Sequence, residues 1–115
     1  MIKTSKDMKT VVNEKMRDGN GSAILEHLLG EDDMAKGSRM FSKITLKENC
    51  SIGLHTHYKE TEYYYILEGT GMVEENDGIK YVAKGDLVIT KDQESHSIAN
   101  TGKDDLVFIA LIILD

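Results

Sequence analysis

Apolar and polar residues alternate with a period of two along much of this chain, and glycine beside Asp, Asn or Lys repeatedly interrupts the alternation. In SRMFSKITL, Met40, Ser42, Ile44 and Leu46 fall on one side and Arg39, Phe41, Lys43 and Thr45 on the other, which is the pattern of a strand. SAILEHLL, from Ser22, fits strand or helix by pattern; its eight residues between Gly21 and Gly30 favour a strand. Gly53 to Tyr58 reads as a short strand, Tyr58 to Thr61 as a reversal, and TEYYYILEG as the returning strand, with Glu62, Tyr64 and Ile66 on one face and Tyr63 and Tyr65 on the other. Asp77-Gly78 is a hairpin signal. Lys80 to Ala83, Asp86 to Thr90, SHSIAN and the apolar run Leu106–Leu114 complete the set. The apolar run reads as a strand buried on both faces. Many short strands with turn signals between them, and no long helical pattern, predict an all-β sandwich or barrel. Residues 1–21 are polar and weakly patterned, and read as a short helix or an arm lying on a partner subunit. Residues 22–115 are the barrel domain.

Length and composition narrow this picture. The 115 residues suffice for one domain with one core. A formal net charge of −6 disfavours a nucleic-acid partner or an anionic membrane surface, both of which need basic patches. The nine-residue run at Leu106–Leu114 is too short to span a bilayer. The N-terminal segment lacks the apolar stretch of a secretion signal, and the single cysteine, Cys50, allows no internal disulfide. The expected location is the cytoplasm.

The chemistry concentrates in HTHYKETEYYY, from His55. On a helix, His55 and His57 would point about 200° apart, but on a strand residues i and i+2 share a face, with Cβ atoms roughly 6–7 Å apart. That spacing lets two imidazoles reach one cation. If the chain reverses at Tyr58–Thr61, Glu62 returns to the same face, and His96 arrives on a separate strand. Three imidazoles and one carboxylate form a mixed nitrogen and oxygen donor set. It suits a divalent transition metal such as Mn²⁺, Fe²⁺, Ni²⁺, Cu²⁺ or Zn²⁺, and suits Ca²⁺ or Mg²⁺ poorly. An octahedral ion with four protein ligands keeps two positions for water or substrate.

These residues resemble the cupin superfamily, whose first motif runs G-x5-H-x-H-x(3–4)-E-x6-G and whose second runs G-x5-P-x-G-x2-H-x3-N. The chain supplies His55, His57, Glu62 and Gly69 for the first, and Gly85, His96 and Asn100 for the second, with 15 residues between Gly69 and Gly85. Asn49 replaces the opening glycine of the first motif, and Lys91 and Gln93 replace the proline and glycine of the second. These departures fall on turns and leave all four ligand positions filled. The resemblance implies a jelly-roll, double-stranded β-helix barrel with a metal near one open end, and a homodimer. It spans Asn49 to Asn100, and the flanking strands suit the rest of such a barrel.

Several residues are weighed against this site. Tyr64 shares the face of Glu62 and is a candidate to hydrogen-bond a substrate, with packing as its plainer role. Arg39 is a candidate clamp for a substrate carboxylate, against a solvated or ion-paired arginine. Glu60 reads as a solvated turn residue, His27 as an ordinary strand residue, Asn100 as a backbone stabiliser, and Cys50 as a turn residue without a partner. The favoured function is a metalloenzyme acting on a small carboxylate or enediol, such as a dioxygenase or an oxalate-decarboxylase-like enzyme. The alternatives are a non-catalytic module binding a small sugar or carboxylate, and a purely structural metal.

Overall fold

The computed structural model describes residues 1–115 and contains ten strands and no α-helix. The strands are β1 (Lys9–Glu14), β2 (Ser22–His27), β3 (Ser38–Leu46), β4 (Ser51–Thr56), β5 (Glu60–Glu68), β6 (Thr70–Glu75), β7 (Gly78–Ala83), β8 (Leu87–Thr90), β9 (Ser95–Asn100) and β10 (Leu106–Leu114). Single 3-10 turns occupy Ser5–Asp7, Met16–Asp18 and Glu31–Asp33. Two antiparallel sheets face one another, one ordered β1-β2-β3-β10-β5-β8 and the other β4-β9-β6-β7. This is the expected all-β jelly roll.

Period-two burial builds the core between the sheets. Ile44 and Leu46 of β3, Tyr64 and Ile66 of β5, Ile98 of β9, and Leu106, Phe108 and Ala110 of β10 are all buried. Each large apolar side chain removed from water contributes about 1.5–3 kcal/mol before entropy is counted. β10 pairs with β3 on one side and β5 on the other, so it lies inside the six-stranded sheet and carries two full ladders.

The segment expected as a helix or arm at residues 1–21 holds β1, which pairs along β2 of its own chain from Lys9↔His27 to Glu14↔Ser22. KTVVNE gives little pattern because β1 is an edge strand with no buried residue. The expectation that Leu106–Leu114 is buried on both faces is corrected. Only alternate residues from Leu106 to Ile112 are buried, while Val107, Ile109 and Leu111 lie on the outer face and are partly exposed. No helix is long and apolar enough to cross a membrane.

Three bulges break the period-two pattern; one leaves Leu67 of β5 as the extra residue opposite Val107 and Phe108, and the other two lie beside the chemistry-bearing residues. In the β4–β9 ladder, Ile52 pairs with Ile98 and His55 with His96, so β4 carries one extra residue at Gly53–Leu54. The extra residue lets both Ile52 and His55 face inward. In the β3–β10 ladder, Met40 pairs with Ile112 and Ser38 with Ile113, leaving Arg39 as the extra residue.

Asn49 and Gln93, the two residues standing at family glycine positions, both have left-handed backbones, with φ of 66° and 68°. Those turns need positive φ, which asparagine tolerates and a longer side chain resists at about 1–2 kcal/mol. Gln93 is exposed, and its backbone N–H donates to the His57 carbonyl at 2.7 Å. Gln93→Gly is therefore expected to stabilise the fold by about 0.5–1 kcal/mol, net of the extra freedom glycine has when unfolded. Denaturant unfolding of the two proteins measures it; an equal or lower midpoint in the variant would show that the turn is not strained.

Candidate metal centre

The four predicted ligands come together although they originate on three strands and a turn. His55 lies on β4, His57 just beyond it, His96 on β9 and Glu62 on β5, so the group joins the two sheets. His57 and Glu62 are buried, His96 is fully buried, and His55 is partly buried. The three Nε2 atoms point at a common centre: His57 to His96 is 3.0 Å, and His96 to His55 is 3.1 Å. Glu62 Oε1 lies 2.9 Å from His57 Nε2, 3.0 Å from His96 Nε2 and 4.0 Å from His55 Nε2.

The opposite nitrogen of each ring faces a fixed partner. His55 Nδ1 donates to the Gly53 carbonyl at 2.7 Å, His57 Nδ1 to Glu60 Oε2 at 2.5 Å, and His96 Nδ1 to Thr90 Oγ1 at 2.7 Å. The Gly53 carbonyl and the Glu60 carboxylate can only accept, which holds the protons of His55 and His57 on Nδ1; with His96 in the same tautomer all three Nε2 lone pairs converge on the centre, where Glu62 Oε1 is buried without a hydrogen bond. Converging lone pairs around an orphaned carboxylate oxygen are favourable only with a proton or a cation among them. The donor set therefore fits a divalent transition metal ion.

In the metal-free protein these close contacts shift the charges of the groups, and a proton on His57 competes with the cation. Burial would raise the Glu62 carboxyl, but the His57 and His96 rings outweigh it and bring it down to about 2. Burial, reinforced by the neighbouring rings against the Gly53 bond, lowers His55 to about 4, keeping it neutral and available as a ligand. The Glu62 carboxylate, and after it Glu60, raise His57 above the usual imidazole range despite its burial. Tyr64 is raised well above the usual phenol range by burial and by the Glu62 carboxylate, so it remains a protonated donor.

Glu60 departs from the sequence reading. It is buried, not a solvated turn residue, and Arg39 grips it with Nε to Oε1 at 2.9 Å and Nη2 to Oε2 at 2.8 Å. A legible signal existed: Glu60 has the same strand parity as Glu62 and Tyr64. Arg39 is thus ion-paired, and the bulge in β3 explains why, since strict alternation would aim it outward. Thr90 was also missed; its partner role comes from β8 running beside β5, which local sequence does not announce.

Tyr64 stacks on His96, ring centroids 4.8 Å apart and 15° from parallel, and packs against Phe108. It lines a cavity of about 70 Å³ with the ligands, Arg39 and the apolar walls of Met40, Ile44 and Ile112. Arg17 also lines this cavity. The remaining residues stand apart: His27 bonds Ser42 at 2.7 Å, and Asn100 holds the carbonyls of Leu46 and Asp104 at 2.9 Å. Cys50 is free and packs against the core.

Comparison with known proteins gives a consistent picture. Residues 42–112 match the Cupin domain family. The chain is 40% identical over 114 residues to an oxalate-binding protein of Thermotoga maritima, covering 99% of this chain and 94% of that one. It superposes with a TM-score of 0.93, at 39% identity and complete coverage of both chains, on the crystal structure of a predicted oxalate decarboxylase from Thermotoga maritima. The cupin domain of Schizosaccharomyces pombe Cnp3 shares the fold alone, at 15% identity and a TM-score of 0.73 over 91% of this chain and 69% of that one.

Two outcomes are expected at this centre. Glu60→Gln should weaken Mn²⁺ affinity about 10–100-fold, because an amide can turn its NH₂ toward His57 Nδ1 and release the ring's orientation. Competitive chelator titration measures this; unchanged affinity would make the Glu60 bond irrelevant to the site. Metal affinity should also rise with pH. Protonated His57 must lose its proton to bind, so affinity climbs up to about tenfold per pH unit below the raised His57 value and levels off above it. For the metal-free protein the sign is opposite: His57 contributes stability below the ordinary imidazole value, and that contribution is lost as pH rises through the raised one.

Proposed function

This chain belongs to the cupin family, and we propose that it holds one divalent transition metal ion, Mn²⁺ or Fe²⁺, and takes a small carboxylate of the oxalate class beside it. The observation that carries the reading is the convergence of three Nε2 lone pairs and the orphaned Glu62 oxygen on one buried centre that opens into a small cavity. The oxalate-binding relative, similar over nearly the whole chain, supports the choice of ligand class.

When bound, the metal would supply Lewis acidity and, as Mn or Fe, access to one-electron chemistry. The chain's own residues do the rest. His55, His57, His96 and Glu62 hold the ion, and the Nδ1 bonds to Gly53, Glu60 and Thr90 fix each ring's tautomer and plane. Met40, Ile44 and Ile112 give the cavity an apolar wall, which strengthens the polar interactions beside it. The cavity is small, about 70 Å³, and so favours a compact ligand. Tyr64 offers a phenolic proton from beside His96.

Conversion of oxalate dianion to formate and CO₂ consumes one proton, and an enzyme of that type needs an acid at the carbon that receives it. Tyr64 is the neutral donor in the cavity. Glu60 carries no proton to give, because Arg39, and then His57, hold its carboxyl below the usual range and so ionised. That observation favours a second reading, ligand binding without turnover, in the same site.

The proposal extends to the assembly. Phe41, Tyr63, Tyr65, Leu87, Ile109 and Leu111 form an apolar surface on the outer face of β3, β10, β5 and β8. The rows are in register, Phe41–Leu111–Tyr63–Ile89 and Ile109–Tyr65–Leu87. Four residues of this face, Tyr65, Leu87, Ile89 and Ile113, are more than a third exposed, an unusual load for a solvated sheet. A second copy presenting the same apolar rows, which meet Lys43 at the β3 end of the second, would cover it in a homodimer. The absence of a partner for Cys50 suits the cytoplasm.

Calorimetry of Mn²⁺-loaded protein with oxalate, followed by formate analysis, tests the site. Saturable binding with formate release indicates a decarboxylase; binding without formate indicates a binding protein; no binding rejects the ligand class. Sedimentation tests the assembly: wild type should run at twice the chain mass and Tyr65→Lys at the chain mass. A wild-type monomer would reject the dimer.

A further inference from the structure

Arg39 was the arginine expected to meet a substrate, yet both of the atoms facing Glu60 are committed to that carboxylate. The other arginine of the chain, Arg17, lines the same cavity as His55, His57, Glu62 and Tyr64, and it makes no ion pair or side-chain hydrogen bond. It sits on the Met16–Asp18 turn between β1 and β2.

That turn is unusually constrained. Lys15, Arg17 and Asp18 all have left-handed backbones, with φ of 48°, 54° and 65°. Such residues cost about 1–2 kcal/mol each and persist only where their surroundings dictate them. Here the surroundings are β4. Asn20 and Ser51 exchange bonds, Asn20 N to Ser51 Oγ at 2.8 Å and Ser51 N to Asn20 O at 2.9 Å. A Cβ on Gly53 would stand 1.9 Å from the Arg17 carbonyl oxygen, and one on Gly19 would stand 2.2 Å from the Ser51 carbonyl oxygen. The backbone of Arg17 is therefore pressed into the bulge whose Gly53 carbonyl orients His55. One piece of backbone geometry sets both a metal ligand and an unpaired guanidinium.

We propose that Arg17 is the specificity-determining residue of this site, supplying the second cation that selects a dicarboxylate over a monocarboxylate. The inference rests on the reading of the centre as a metal and oxalate-class site. Its charge logic is simple. Arg39 and Glu60 neutralise one another, and Glu62 offsets one charge of a divalent ion. Arg17 then brings the cavity to a net double positive charge, which a dianion balances and a monoanion does not. A guanidinium also offers paired N–H donors matched to a carboxylate edge.

The test uses the Mn²⁺-loaded full chain, with oxalate and formate as probes in calorimetry and Mn²⁺ affinity measured separately. Arg17→Gln should weaken oxalate binding at least tenfold, in line with the loss of a charge-assisted hydrogen bond, while formate and Mn²⁺ affinities stay within about twofold. Arg17→Lys, which keeps the charge, should recover part of the oxalate affinity. It also serves as the control should Arg17→Gln prove poorly folded: oxalate selectivity then has to be retained in the lysine variant. Unchanged oxalate affinity in Arg17→Gln, or parallel loss of oxalate, formate and metal, overturns the role of Arg17 and leaves the oxalate reading standing. A wild-type protein that binds metal but not oxalate overturns both.

Discussion

Four electron-pair donors aimed at one point are the constraint on which the rest of this structure turns. Imidazole nitrogens 3.0–3.1 Å apart, with their lone pairs facing, repel unless a proton or a cation lies between them. The carboxylate oxygen in their midst is buried and unpaired. An arrangement of this kind survives in a fold only if its surroundings hold it. Three outward Nδ1 bonds, to a backbone carbonyl, a carboxylate and a hydroxyl, do so. Because the donors come from both sheets, a bound cation would also tie the two layers of the barrel together, coupling metal binding to stability.

The supporting residues are themselves held. Glu60 could not remain an oriented carboxylate at low exposure without Arg39, whose paired N–H groups occupy both of its oxygens. Arg39 reaches Glu60 because β3 carries an extra residue there. His55 faces inward because β4 carries another. Regular sheet geometry builds the core, and these two departures from it direct the polar side chains. The same β4 bulge accepts the strained turn bearing Arg17, so the loop before β2 and the first ligand strand cannot shift independently.

Some of the site was readable because its signals are local. His55 and His57 at strand spacing, the return of the chain to Glu62, and the parity of Tyr64 all follow from the two-residue repeat. The glycine substitutions at Asn49 and Gln93 are likewise readable as turn positions, and the left-handed backbones found there agree. Glu60 shares the parity of Glu62 but stands one or two residues short of the position at which the motif places its glutamate, so the motif reads it as a turn residue. Arg17 lay in a stretch with no periodicity at all.

The sequence by itself determined that the chain is an all-β cupin barrel and which four side chains converge, since alternation and motif spacing are properties of neighbours along the chain. Tertiary structure alone decided which arginine is free and which is neutralised. It also decided which carboxylate orients a histidine, that Thr90 sits behind His96, and that one face of β10 is left without cover. The physical reason is that these depend on bulges and on strands paired across long sequence separations. A single inserted residue reverses the direction of a side chain, and a partner more than 20 positions away then settles its charge.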